Sequence, residues 1–159
     1  MFSILYVDDE PVLLDTTKLF LERDANFSVD TCTSASEAFE KIKVRTYDAI
    51  VSDYQMPEMD GIQFLKALRE AGNTIPFIIY TGKGREEVVI EAYNAGADSY
   101  IQKRGEPKLM FLDLKRAIAQ AVTGRRTAEE LKQRYRRARK FLIAFWNIVL
   151  FMFSLKMKK

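Results

Sequence analysis

The chain has 159 residues, enough for one domain with a real core, and its 48% hydrophobic and 30% charged content is that of an ordinary soluble globular protein. It contains no histidine, which excludes His-based triads, His metal sites and a phosphohistidine carried by this chain. The net charge of +3 conceals a split: residues 1–120 hold 14 Lys and Arg against 20 Asp and Glu, whereas residues 121–159 hold 11 against 2.

The single Cys32 has no intrachain disulfide partner, so a reducing cytoplasm is the expected compartment and packing its expected role. A strand pattern begins at Ser3, which leaves no targeting segment in view. "SILYV" (Ser3–Val7) reads as a strand. "PVLLDTTKLFLER" (Pro11–Arg23) sets Leu14, Phe20 and Leu21 at helical spacing, with Pro11 in the first turn. "SVDTCT" (Ser28–Thr33) alternates as a strand does. Ser34 and Glu37 form a capping-box signature for a helix over Ser34–Val44. "DAIVS" (Asp48–Ser52) is a third strand, and a helix over Asp60–Gly72 ends on glycine. "IPFIIYT" (Ile75–Thr81) is a very apolar fourth strand, Arg85–Gly96 a helix, and "DSYIQ" (Asp98–Gln102) a fifth strand. Pro107 then opens a helix to Val122.

Strand–helix alternation with short connections predicts a parallel sheet covered by helices on both faces. In such sheets the ligand site lies off the carboxyl ends of the strands. Asp8-Asp9-Glu10 follow the first strand, Asp53 the third, Thr81-Gly82 end the fourth, and Lys103 follows the fifth. Taken singly, the acids read as solvated turn residues or helix caps, Thr81 as a turn residue and Lys103 as a surface charge. Together they bring three carboxylates, a hydroxyl and an ammonium to one edge. Carboxylates so placed repel, and a hard divalent cation with oxygen ligands resolves the conflict: Mg2+, with Mn2+ as a substitute. Asp53 is the candidate nucleophile, able to form an aspartyl phosphate. Mg2+, Lys103 and the Thr81 hydroxyl would neutralise or hydrogen-bond the phosphoryl oxygens.

In "ILYVDDE", "SDYQMPEMDG", "IIYTGKG" and "GADSYIQK" the chain resembles the receiver domain of two-component response regulators, over about residues 2–122. The resemblance implies a flavodoxin-like (βα)5 doubly wound fold, with a five-stranded parallel sheet of order 2-1-3-4-5 and a C-terminal helical extension. It implies Asp53 as phosphoacceptor, with Mg2+ held by Asp9, Asp53 and the backbone carbonyl of Gln55, and by Asp8 through water. Thr81 and Tyr100 match the switch hydroxyl and switch aromatic, and Lys103 the phosphate-contacting lysine. Pro57 stiffens the loop after Asp53, and Gly61 lets it turn into the next helix. The chain departs from the pattern at Gly82, where the family usually has Ala, and at Arg104, where it usually has Pro after a cis bond. The wording of "TGKGREEVVIEA" and "QKRGEPK" is similar to receivers of archaeal multidomain sensor proteins. The donor implied is a phosphohistidine on a sensor histidine kinase or phosphotransfer protein, or a small phosphodonor. On this reading the chain is no enzyme but a phosphoacceptor that assists its own phosphorylation and dephosphorylation. The alternative is an aspartyl-phosphate-forming phosphatase, although such enzymes usually set an Asp-x-Asp pair at the first strand. A flavodoxin-like cofactor binder fits less well, since "VDDEPV" puts acids where a phosphate cradle wants Gly, Ser and Thr.

Residues 123–159 form a separate basic, then apolar, tail with no DNA-binding helix-turn-helix and no recognised output domain. From Met110 and Leu114 through Leu131, Tyr135, Leu142 and Phe145 to Val149 and Met152, small and apolar residues repeat in 4-3 steps. That heptad seam predicts that the last helix continues and pairs with a second copy. Phe141–Leu155 is apolar on all sides, which one seam cannot bury. Membrane association is the competing reading, but a helix of this length spans about 22 Å against a hydrocarbon core of about 30 Å.

Overall fold

The structure is a computed structural model that describes residues 1–82 and 86–156, with side chains described up to residue 147. The 83–85 stretch of the fourth loop and the side chains of seam positions Val149 and Met152 lie outside the described residues.

Five strands alternate with five helices: β1 (Phe2–Val7), α1 (Pro11–Glu22), β2 (Phe27–Cys32), α2 (Ala35–Val44), β3 (Ala49–Ser52), α3 (Gly61–Glu70), β4 (Phe77–Thr81), α4 (Glu86–Asn94), β5 (Ser99–Gln102) and α5 (Pro107–Lys156). All strand pairs are parallel, in the order β2-β1-β3-β4-β5. This is the expected doubly wound sheet. Two compact units divide the chain, Met1–Val122 and Thr123–Lys159.

The strands bear out the burial logic of a covered parallel sheet. Every residue of β3 and β4 is buried, as are Ile4 to Val7 of β1, whereas edge strand β2 mixes buried and half-buried residues and edge strand β5 is half-buried throughout. The period of two sorts the side chains into two cores. Leu5, Val7, Ile50, Phe77 and Ile79 face Phe64 and Leu65 of α3. Ile4, Tyr6, Val51, Ile78 and Tyr80 face Leu14 and Leu21 of α1 and Leu114 and Ile118 of α5.

Asp48 and Asp98 sit just before β3 and β5 rather than inside them. Each exchanges two hydrogen bonds with the neighbouring strand: the Ser3 N–H donates to Asp48 Oδ2 (2.9 Å) and the Phe77 N–H to Asp98 Oδ2 (2.8 Å), while the Asp48 and Asp98 N–H groups donate back to the Ser3 and Phe77 carbonyls. These pairs set strand register at the end opposite the acidic edge.

Several helix details differ from expectation. In α1 the buried stripe is Leu14, Thr17 and Leu21, while Phe20 is half-buried and stacks on Phe111 at 4.3 Å between ring centroids. Ser34 Oγ caps α2 by accepting from the Glu37 N–H (3.1 Å), but the Glu37 carboxylate accepts from the Thr33 N–H (3.0 Å), one residue before the reciprocal partner. The full capping box belongs to α3. Asp60 Oδ1 accepts from the Gln63 N–H at 2.8 Å, and Gln63 Oε1 accepts from the Asp60 N–H at 3.0 Å.

In the first unit, α5 packs through Phe111, Leu114, Ile118 and Val122, so the expected seam positions Met110, Ala117 and Ala121 lie beside the buried stripe. The sheet, not a heptad, sets the phase there. In the second unit the backbone is helical through Lys156, and its described side chains are exposed except for half-buried Arg125. Among the described residues no helix is long and apolar enough to cross a membrane.

Candidate functional site

The carboxyl ends of β1, β3, β4 and β5 line a cavity of about 230 Å3 bounded by Asp9, Glu10, Leu13, Asp53, Gln55, Thr81, Gly82 and Lys103. The sheet order makes β1 and β3 neighbours, and the Asp53 N–H donates to the Val7 carbonyl at 2.8 Å, which sets Asp53 beside the end of β1.

Lys103 joins the two strand ends. Its Nζ donates to Asp8 Oδ2 at 2.6 Å and to Asp53 Oδ1 at 2.9 Å, with its side chain only 11% exposed. The two bonds bridge 95 and 50 residues of chain. The remaining carboxylate oxygens are also engaged. Asp8 Oδ1 accepts from the Glu10 N–H (3.0 Å), and Asp53 Oδ2 from the Gln55 N–H (2.6 Å). Asp8, Asp53 and Thr81 are buried, whereas Asp9 is exposed at the mouth.

Burial raises the Asp53 carboxyl above the ordinary range; the hydrogen bond and charge of Lys103 oppose this, and the Asp8 charge adds to it. One ammonium among the carboxylates of Asp8, Asp9, Glu10 and Asp53 leaves net negative charge, which suits a hard divalent cation. Among the described residues no three acidic side chains enclose a metal by themselves, and Lys103 Nζ stands between Asp8 and Asp53. The donor set therefore matches an ion that takes one or two carboxylates and completes its shell with backbone oxygen and water, as Mg2+ does.

The departures from the receiver pattern have local solutions. All described peptide bonds are trans, including Lys103–Arg104. Lys103 is instead held by its N–H on the Thr81 carbonyl (2.8 Å), followed by a three-residue turn in which the Arg104 N–H donates to the Gln102 carbonyl (2.8 Å). Gly105, at φ +96°, then takes the left-handed conformation that releases the chain into α5. Among the described residues, a β-carbon at Gly82 would meet only Lys103 Cβ, at 3.9 Å.

Gly61 does not serve as a conformational hinge, because its φ is not positive. It is a contact residue: a β-carbon there would collide with the Asp53 carbonyl oxygen and stand 3.2 Å from Ser52 Oγ. The unusual backbone of this loop lies at Glu58, at φ +65°, between Pro57 and Met59, whose carbonyl and N–H close a turn at 2.7 Å. Tyr100 packs its ring against the α3-side core, and among the described residues its buried hydroxyl has no hydrogen-bond partner.

Two residues were not legible as site residues from motifs. The buried Tyr6 hydroxyl donates to Asp8 Oδ2 at 2.6 Å, and burial together with the Asp8 charge holds the phenol well above its usual range. Tyr80 places its ring 5.2 Å from Lys103 Nζ, and burial pushes its phenol up to about 12. The strand period offered a signal for Tyr6, which lies two residues before Asp8 and so on the same face.

A doubly wound parallel sheet of order β2-β1-β3-β4-β5 with a lysine-bridged acid pair at its carboxyl edge defines the class, a flavodoxin-like α/β domain. The family model described as response regulator receiver domain matches residues 4–115, and the chain belongs to that family. It is 39% identical over 113 residues to the transcriptional regulatory protein SrrA of Staphylococcus aureus, covering 71% of this chain and 46% of that protein. It is 35% identical over 107 residues to response regulator Rre1 of Synechocystis, covering 66% and 46% respectively. The chain thus spans about half the length of these curated relatives. Among solved structures, a receiver domain protein of Clostridium thermocellum superimposes with a TM-score of 0.71 at 28% identity, covering 80% of this chain and 99% of that one. CheY4 of Vibrio cholerae superimposes with a TM-score of 0.65 at 29% identity, covering 74% and 98%.

Proposed function

We propose that Asp53 accepts a phosphoryl group from a phosphohistidine on a sensor histidine kinase or phosphotransfer protein, and that this switches a partner-binding surface. The observation that carries the reading is the Lys103 ammonium lying 2.6 Å from Asp8 and 2.9 Å from Asp53 at the mouth of the cavity. An Asp53 oxygen attacks phosphorus as the P–N bond to the donor imidazole breaks. The leaving nitrogen keeps the electron pair and takes up a proton. Lys103 offsets charge on the phosphoryl oxygens, and the Thr81 hydroxyl donates to one of them. Asp9, Asp53 and the Gln55 carbonyl would hold Mg2+, or Mn2+ in its place, with Asp8 acting through water. The ion supplies further neutralisation of those oxygens when bound. Phosphate draws Thr81 inward, Tyr100 follows, and the face built from α4 and β5 changes its binding preference.

On this reading residues 1–122 form the receiver and residues 123–159 a helical tail through which two copies pair. The chain works in the cytoplasm, assists its own phosphorylation and dephosphorylation, and acts through protein contacts rather than DNA binding by the tail. Incubation with Mg2+ and acetyl phosphate, followed by intact mass measurement, tests the acceptor role. A phosphoryl adduct that Asp53→Ala abolishes supports it. Turnover of many equivalents of an organic phosphate with no lasting adduct sinks it and favours the phosphatase.

A further inference from the structure

The unit Thr123–Lys159 leaves large apolar side chains uncovered on a helix. Leu131, Tyr135, Phe141, Leu142, Phe145 and Trp146 are 54 to 74% exposed. In the 4-3 pattern the inner positions are Ala128, Leu131, Tyr135, Ala138, Leu142 and Phe145, and Phe141 and Trp146 flank them. Of the large apolar residues between 141 and 147, only Ile143 falls outside this stripe.

A second copy can meet the stripe in two directions. A parallel pair stacks like on like, Tyr135 on Tyr135 and then Ala138 on Ala138, so a crowded layer alternates with a void. It also brings Arg134 of each helix beside Arg139 of the other, since these flanking positions, five residues apart, face each other across a parallel seam. An antiparallel pair in which Tyr135 faces Ala138 also sets Ala128 against Phe145 and Leu131 against Leu142. Each layer then holds a large residue against a small one, or two leucines, with no crowded layer beside an empty one.

The flanks favour the same direction. Helical side chains lean toward their own N-terminus. In the antiparallel register Arg134 and the second copy's Phe141 lean toward each other, guanidinium over ring. Lys132 and the second copy's Arg139, a like-charge contact, lean apart.

We propose that the tail pairs with a second copy of this chain as an antiparallel coiled coil centred between Arg136 and Arg137. This rests on the self-pairing reading of the tail given above and adds its direction and register.

Sedimentation of the full chain tests the pairing, and disulfide mapping tests the register. The expected mass is twice the 18.4 kDa of one chain. Chains carrying Ala128→Cys are mixed with chains carrying Phe145→Cys, oxidised, digested and analysed by mass spectrometry. Cys32, 2% exposed, is distinguished by its own peptide. The expected link joins positions 128 and 145. Two copies of position 128 lie about 25 Å apart in this register, so Ala128→Cys alone yields no self-link. A second mixture, Leu131→Cys with Leu142→Cys, covers the case in which losing Phe145 unpairs the helices. A doubled mass with a 128–128 link overturns the antiparallel register and leaves self-pairing intact. A mass of one chain overturns both. A single chain that sediments with phosphatidylcholine–phosphatidylserine vesicles overturns both as well and names lipid as the cover.

Discussion

Gly61 packs directly on the backbone of Asp53: a β-carbon would strike the Asp53 carbonyl oxygen and come within 3.2 Å of its carbonyl carbon. The first turn of α3 thereby fixes the acid at the end of β3 from behind. Neither backbone can yield cheaply, because β3 is buried and the Gly61 N–H is bonded to the Tyr54 carbonyl at 2.8 Å. Gly61→Ala is expected to cost about 1–3 kcal/mol, as overpacking does. It should also slow acetyl phosphate labelling of Asp53. Urea denaturation and intact mass after timed labelling check this; an unchanged midpoint and rate would remove Gly61 from the site.

The Asp53 carboxyl has a raised pKa in the folded chain, chiefly through burial. The native state therefore binds its proton more tightly than the unfolded state, so stability falls as pH rises from the ordinary Asp range through the native pKa. The whole cost is present above the native pKa. Asp53→Asn is expected to show a higher urea midpoint than the parent at neutral pH, and the gain should shrink as pH falls through the native pKa and vanish below the ordinary Asp range. A gain that grows on acidification would reverse the sign of the argument.

Lys103 opposes that rise. Lys103→Met leaves the buried Asp8 and Asp53 carboxylates facing each other without their shared cation. We expect a loss of about 3 kcal/mol at neutral pH, as for other broken buried pairs. If Asp53 is the acceptor proposed above, labelling draws on its carboxylate form, so the acid limb should move to higher pH in this variant. A pH–rate profile of acetyl phosphate labelling gives the answer, and an acid limb at the parent position would contradict it.

Tyr100 carries a buried hydroxyl with no partner among the described residues. An orphaned buried donor costs about 1–3 kcal/mol. Tyr100→Phe, which keeps the ring against the core, should therefore be at least as stable as the parent in thermal unfolding. A clear loss would mean that the hydroxyl is bonded in solution.

Among the described residues the nearest atom to a methyl group at Gly82 would be Lys103 Cβ at 3.9 Å, which leaves room for it. Gly82→Ala should leave the urea midpoint within about 0.5 kcal/mol of the parent. It restores the residue usual in the family and should retain labelling of Asp53. Loss of labelling with the fold intact would give this glycine a role that its surroundings do not explain.

Local pattern alone determined a good deal about this protein. Burial periodicity laid out the strands, Pro11, Ser34 and Pro107 marked helix starts, and the acids at strand ends marked the edge that carries the candidate site. The missing histidine places any phosphohistidine donor outside these 159 residues. The tertiary structure decided what local pattern does not encode. It put Lys103 between acids 95 and 50 residues away, tied the Tyr6 hydroxyl to Asp8, and made Gly61 a contact rather than a hinge. It also turned Phe111, Ile118 and Val122, none of them a seam position, to the sheet beside the seam residue Leu114. The physical reason is the same in each case. Periodicity states which face of an element is apolar, whereas the pairing of two faces is a property of packing between segments far apart in the chain.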